Sequence, residues 1–466
     1  MRTLRRFCHL FPNNGVLMIQ HAENSGPSSV VGYFHPTGRP YRFAILFFIS
    51  LMTFGSYFAF DSIGALATTL IQAIHLDRGD IGSLYSAYSI AAILTVFIGG
   101  VLIDKLGTRK ASLLFSVLVT VGAMIVAFSP NKTTLFAGRL IFGAGSESLV
   151  VAQSAIISRW FKGKEMALAF GIALTLSRLG TLFSFNTEQL IATQFGGFRA
   201  ALWAAAGLCA FSLVCNLIFN AMDKRGERVL SLPKAEAGDK VVFSDILKFG
   251  PSFWFVVLLC VTFYSAIFPF TALSTDMFAT KWGFLDVAIS TGGFFHQALF
   301  NFTHLFTTAG GITSIVIAAS MIFAPFAGNL IDRIGRRASL MIVGSLLLIP
   351  AHLIMGITHW NPILSMVLLG GAFVLVPAAM WPCVPLVVEE KRVGTAFGLM
   401  TAIQNLGLAF FSTTSGRLRD ATGNYTATQI MFAGLGVAGL VFAILLLRAD
   451  KRNKGVLEAG AAAKAA

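Results

Sequence analysis

The sequence predicts an all-α membrane protein with twelve transmembrane helices in two pseudo-symmetric six-helix bundles. Three observations predict it. The 466 residues are 56% hydrophobic and 12% charged, with a mean hydropathy of +0.76, which excludes an ordinary soluble chain. Twelve apolar stretches approach the roughly 20 residues needed to cross a bilayer. One charged phrase is also written twice: Gly100, Asp104, Gly107 and Arg109 in GVLIDKLGTRKA return as Gly328, Asp332, Gly335 and Arg337 in GNLIDRIGRRAS, each 228 positions on. Two hydrophobic halves with the same acid, glycine and base in the same order point to duplication of one membrane unit.

Residues 1–40 read as a cytoplasmic tail. Arg2, Arg5 and Arg6 are followed by polar and turn residues, with no apolar run long enough for a signal peptide, so the first spanning helix must direct insertion. The N-terminal bundle, 41–222, holds stretches near 43–66, 81–103, 111–128, 135–158, 166–190 and 200–222. A polar connection, 223–249, carries Lys224, Arg225, Arg228, Lys234 and Lys240. The C-terminal bundle, 250–448, holds stretches near 253–278, 312–331, 339–357, 363–388, 394–416 and 430–447. The cytoplasmic tail, 449–466, is expected to be unstructured after Leu457. His296 and His304 fall in a long outer connection between the seventh and eighth stretches and read as solvated loop residues.

The formal net charge of +14 forms no single basic stripe, so it gives no reason to expect nucleic acid as a partner. Lys105, Arg109, Lys110, Arg159, Lys162, Lys164, the connection, Arg333, Arg336, Arg337, Lys391 and Arg392 instead occupy alternate loops, which by the positive-inside rule places both termini in the cytoplasm. The five cysteines lack metal-like spacing. With no nucleotide loop, metal cluster or nucleophile beside a base, neither an enzyme, nor a cofactor, nor ATP-driven transport is expected.

The chemistry is expected at mid-membrane. AFGIALTLSRLG (169–180) aligns without gaps on AFGLMTAIQNLG (396–407), so the fifth and eleventh stretches are repeat partners, and Arg178 stands where the second half has Asn405. The fold therefore does not demand the arginine. Arg178 and Glu147 both fall near the centre of their stretches, where a charge costs roughly 2.5–3.5 kcal/mol on insertion scales. Either they neutralise each other as a buried salt bridge, or they face a cavity. As a site, a carboxylate and a guanidinium complement a zwitterion: Glu147 takes an ammonium group and Arg178 grips a carboxylate. Asp61 and Tyr57 on the first helix, Tyr88 on the second, Tyr264 on the seventh, Trp381 on the tenth, and Gln404 and Asn405 on the eleventh complete the candidate lining. Single aromatics are also ordinary packing residues.

In the repeated phrase, Gly100 and Gly328 allow close helix approach. Asp104 and Asp332 sit where they can cap a neighbouring helix, while Arg109, Arg336 and Arg337 meet carbonyls and lipid headgroups. The phrase reads as a gating latch. Arg139, followed by Gly143 and Gly145, lies two turns from Glu147 on a similar helix face; it is a candidate for coupling through Asp61 or Glu147, or for helix packing.

The GxxxDxxGxR phrase after the second and eighth helices resembles the loop signature of the major facilitator superfamily, and RxxxGxG at Arg139 resembles a second motif of that superfamily, sometimes tied to proton coupling. Irregular words in both halves, GRLIFGAGSESLVVAQ, WFKGKEMALAFG, FYSAIFPF and MWPCVPLVVEEKRVGTAFGLMTAIQNLGLA, resemble its dipeptide-transporting branch. The resemblance implies alternating access, uniport-type movement of a small peptide, and Glu147 and Arg178 as binding acid and base. Proton symport of amino acids or peptides and organic-anion carriage are the alternatives, and a non-transporting receptor would not need both latches. Animal members are lysosomal and work with a glycosylated partner. Here no acidic dileucine signal precedes Tyr41, no accessory subunit is evident, and a proline expected near Ile63 is missing. Asn131 and Asn301 lie in N-x-Thr triplets. A bacterial cytoplasmic membrane is the simplest expectation.

Overall fold

What the apolar text leaves open is where the chain bends. The computed structural model describes residues 35–129, 131–161, 165–230, 248–287, 292–389, 392–452 and 455–459, with backbone alone at 167, 324–325, 328–329 and 332–333. These residues form α1 (Arg39–Ala65), α2 (Ala67–Ala73), α3 (Arg78–Phe128), α4 (Lys132–Phe161), α5 (Met166–Gln194), α6 (Phe198–Leu230) and α7 (Pro251–Trp282). After these come α8 (Phe294–Thr303), α9 (Ala309–Ile334), α10 (Arg337–Ile357), α11 (Ile363–Met380), α12 (Val384–Val387), α13 (Val393–Thr422) and α14 (Thr426–Arg452). A 3-10 turn, Trp381–Cys383, joins α11 to α12.

Among the described residues, ten helices are long and apolar enough to cross a membrane. One of them, α3, contains two crossings, because Gly107 adopts φ 76°, ψ 159°, a positive-φ conformation that suits glycine. Adding α9, whose apolar part is Ala309–Phe323, brings the crossings to the expected twelve. The chain is thus a multi-pass membrane protein. The first span breaks at Leu66 (φ −101°, ψ 10°) without a proline.

Packing follows membrane logic. Phe47, Leu94, Leu217, Val367 and Phe410 point outward, while Ser50, Thr53, Ser56 and Ser62 of α1 are buried. Lipid solvates large apolar side chains well, so small and polar residues take the helix contacts. Within the first half α1 packs on α5 and α6, and α3 on α4; in the second, α10 packs on α11 and α14, and α7 on α13 and α14. Two seams join the halves, α3 along α13 and α5 along α9. At the first seam, a Cβ on Gly82 would collide with the Ser412 carbonyl.

The seams are polar from mid-depth to the end of the bundle away from the termini. Arg78 pairs with Asp276 (Nε to Oδ2, 3.0 Å), and Tyr425 donates to the same carboxylate at 2.5 Å. The Gly79 amide donates to Asp420 at 2.7 Å, and the Thr275 hydroxyl to the Gly64 carbonyl at 2.5 Å. These contacts between the halves lie toward the far end. The molecule is closed at the far end.

Several boundaries differ from the sequence reading. α6 runs on to Leu230, so Asp223, Lys224, Arg225 and Arg228 are helical; 231–247, including Lys234 and Lys240, lie outside the described residues. α14 continues to Arg452. The chain then folds back: the Arg336 and Arg337 amides donate to the Glu458 and Leu457 carbonyls (3.2 and 3.0 Å), and Glu458 accepts from the Ser339 amide (3.0 Å) and hydroxyl (2.7 Å). Leu457 is buried. The expectation of a free tail fails there because a carboxylate caps the first turn of α10; 460–466 lie outside the described residues.

Candidate functional site

Glu147 lies at the middle of α4 and Arg178 at the middle of α5. They are not joined to each other by an ion pair among the described residues; each has its own partners. The Tyr88 hydroxyl donates to Glu147 Oε1 at 2.7 Å and approaches Ser146 Oγ at 3.2 Å. Ser146 is tied to Ser56 of α1 at 2.6 Å. Arg178 reaches across the α5–α9 seam, its Nη1 donating to Ser320 Oγ at 2.6 Å, and its guanidinium carbon lies 4.7 Å from the Phe373 ring centroid on α11. Its Nε is buried without a hydrogen-bond partner. The guanidinium keeps a spare donor and the carboxylate is held by a phenol, and both lie within electrostatic reach of Tyr57.

Tyr57 and Asp61, four residues apart on α1, share a helix face. Tyr57 stands within electrostatic reach of Arg178, Glu147 and Asp61, and Asp61, buried, faces the Thr181 hydroxyl on α5. The second half supplies an aromatic wall. Trp381 Nε1 donates to the Tyr264 hydroxyl at 2.9 Å, Tyr264 stacks on Phe268 at 5.6 Å, and Trp381 stacks on Phe397 at 5.9 Å. Gln404 Oε1 lies 3.5 Å from Cys260 Sγ. Asn405 is buried and spends its amide on the Thr401 carbonyl at 3.1 Å, leaving Oδ1 unpartnered. It shares a face with Ala409, Ser412 and Gly416, the face that packs on α3. Arg178 on the α5–α9 seam and Asn405 on the α3–α13 seam are thus pseudo-symmetric in place as well as in sequence. Phe373, Ser320, Phe268 and Phe397 were not anticipated, because a serine or phenylalanine in an apolar stretch carries no signal of its own.

Arg139 is buried to 1% exposure. It donates to the Leu84 and Ala59 carbonyls (3.4 and 3.3 Å) and lies within a box of rings, 5.3 Å from Phe60, 5.1 Å from Tyr85, 5.6 Å from Tyr88 and 5.2 Å from Phe142. Among the described residues it forms no ion pair with Asp61 or Glu147; Tyr88, ringed against Arg139 and bonded to Glu147, stands between. Such cation–π contacts ease burial of the charge.

The latch phrases are held differently in the two halves. Arg109 and Arg159 share the carboxylates of α6: Arg109 lies 3.5 Å from Asp223 and 2.6 Å from Glu227, and Arg159 lies 3.2 and 3.1 Å from the same pair. Trp160 Nε1 donates to Asp223 at 2.7 Å. Arg109 thus meets carboxylates of its own half. Asp104 is exposed. Close helix approach occurs at Gly99, beside Gly100, against Ser148. In the second half Arg336 (φ 50°) turns the chain into α10 and Arg337 is buried; the Asp332 side chain and the surroundings of Gly328 lie outside the described residues.

The family model of the Major Facilitator Superfamily matches residues 49–306 and 292–465. The chain belongs to that superfamily. It is 32% identical over 472 residues to the lysosomal dipeptide transporter MFSD1 of Danio rerio, covering 97% of both chains, and 30% identical to that of Homo sapiens over 93% of this chain and 91% of the relative. In fold it is similar to two crystal structures of the nucleoside transporter NupG, with TM-scores of 0.67 and 0.62. These structures are 14% and 15% identical to it, over 86% of this superfamily member and 99% and 98% of theirs.

Proposed function

We propose that this superfamily member carries dipeptides across a membrane by alternating access, as a uniporter. Glu147 receives the free amino terminus and Arg178 the free carboxylate, while the Tyr264–Trp381 wall, with Tyr57, Asp61, Gln404 and Asn405, surrounds the remainder. The observation that carries the reading is the unneutralised pair at mid-depth: Glu147 bonded to Tyr88, and Arg178 bonded to Ser320 with its Nε unsatisfied. Relatives named as dipeptide transporters support the same substrate class. The bundles 41–222 and 250–448, joined by 223–249, rock about this site, with both termini in the cytoplasm. The membrane is a bacterial cytoplasmic membrane or, in a eukaryote, the lysosomal membrane.

The test is a thermal-shift panel on purified protein with free amino acids, free dipeptides, and dipeptides blocked at either end. A ligand at 100 times its Kd stabilises the folded state by about 2.7 kcal/mol. Stabilisation by free dipeptides that vanishes on blocking either terminus is the expected result. A response to organic anions without any response to dipeptides would sink the assignment. Flux into proteoliposomes with and without a pH gradient then separates uniport from proton symport.

A further inference from the structure

The connection between α7 and α9 contains α8, and its contacts with α5 follow a descending register. Phe294 meets Phe195 (ring centroids 5.4 Å apart), Asn301 Nδ2 donates to the Asn186 carbonyl (3.2 Å), and Phe302 meets Phe183 (5.1 Å). As the chain advances along α8 its partners recede along α5, so the two helices lie antiparallel. Phe183 is one and a half turns past the mid-depth Arg178, about 7 Å along the axis, whereas Phe195 lies about 25 Å from it. With a hydrocarbon core roughly 30 Å thick, α8 descends from the headgroup level well into the apolar layer.

Gln297 and Asn301 are buried against the protein, whereas Phe295, Leu299 and, just beyond, Phe306 are 86%, 65% and 56% exposed, with His296 and Thr303 exposed beside them. Phe183, at the foot of α8, is itself on the exposed surface of a spanning helix, so the apolar face is continuous with surface that meets lipid. Backbone groups after α8 bond within the protein, as a bilayer favours: the His304 amide bonds the Phe300 carbonyl at 2.9 Å, the Thr307 amide the His304 carbonyl at 3.0 Å, and the Ala309 amide the Leu285 carbonyl at 2.9 Å. We infer that α8 is a re-entrant half-helix that enters at the headgroup level with Phe295 and seats Leu299 and Phe306 among the acyl chains of the far leaflet. The Asn301 triplet, facing α5 from within that layer, is then closed to glycosylation.

Nitroxide labels at Phe295→Cys and Leu299→Cys, in a Cys8→Ser background in lipid nanodiscs, test this; the described cysteines are buried. Asn131→Cys, in an exposed far-end loop, serves as the aqueous reference. At Leu299 collision with oxygen is expected to exceed collision with a water-soluble nickel chelate, and the ratio to be smaller at Phe295, which lies nearer the headgroups. A Leu299 label as open to the nickel chelate as Asn131 places the face in water and overturns the inference. Shielding from both quenchers, which puts a protein partner or a second copy on the face, overturns it equally.

Discussion

At the scale of single residues, the site depends on groups that are charged where charge is costly. Glu147→Gln keeps the shape and the Tyr88 contact but removes the charge offered to an ammonium. A charge-assisted hydrogen bond contributes about 1.5–3 kcal/mol, so affinity for free dipeptides is expected to fall about 10- to 100-fold. Titration calorimetry with a free dipeptide checks it, and an unchanged affinity would remove Glu147 from the amino-terminal role. Ser320→Ala is expected to act the other way. Ser320 occupies Arg178 Nη1 when no ligand is bound, so a carboxylate must displace it; removing the hydroxyl should tighten binding several-fold, about 1 kcal/mol. Weaker binding would mean that Ser320 holds Arg178 in its binding pose. The expense of mid-membrane charge made Glu147, Arg178 and Asp61 legible in the sequence. Ser320 and Phe373 were not, because their meaning depends on which helices pack beside α5.

At the scale of elements, the spans were legible from apolar length, whereas their joints and caps were not. Gly107 carries its bend in the charged gap between the 81–103 and 111–128 stretches, where the text marked a loop and the chain instead stays helical on both sides of one glycine. α8 escaped because Gln297 and Asn301 face inward while His296 and Thr303 are exposed, so its text looks like that of a solvated loop. The return of the chain at Leu457 and Glu458 was hidden in an alanine-rich tail with no apolar run. Glu458 satisfies the amide and hydroxyl of Ser339 at the start of α10, an anion at the positive end of a helix. Glu458→Ala is expected to cost about 1 kcal/mol, seen as a fall of roughly 1–2 °C in Tm for a chain of this size. In a double-mutant cycle with Ser339→Ala the two losses should not add. Full additivity would show that the carboxylate acts elsewhere.

For the whole molecule, the sequence repeat announced two halves but not which end of the seam is shut. That is decided by residues outside the repeat phrase. Asp276 is about 1% exposed and holds both Arg78 and Tyr425, so one buried carboxylate clamps the halves at the far end beside the Gly79–Asp420 and Thr275–Gly64 bonds. Removing one partner of such a buried pair costs about 3–5 kcal/mol, and this loss falls on the closed-far-end state alone, because separation of α3 from α7 returns Arg78 to water. Asp276→Asn should therefore shift the ratio of the two facings on the order of 100-fold or more. Spin labels at Asn131→Cys and Asn424→Cys, on exposed far-end loops of opposite halves, should report a longer and broader distance distribution in the variant than in the parent. An unchanged distribution would mean that the seams at α3–α13 and α5–α9 hold the far end without the clamp. The same pair of labels weighs the ligand: a dipeptide drives the cycle only by preferring one facing, so its addition must move this distribution, and by linkage the Asp276→Asn shift must change dipeptide affinity in the corresponding direction.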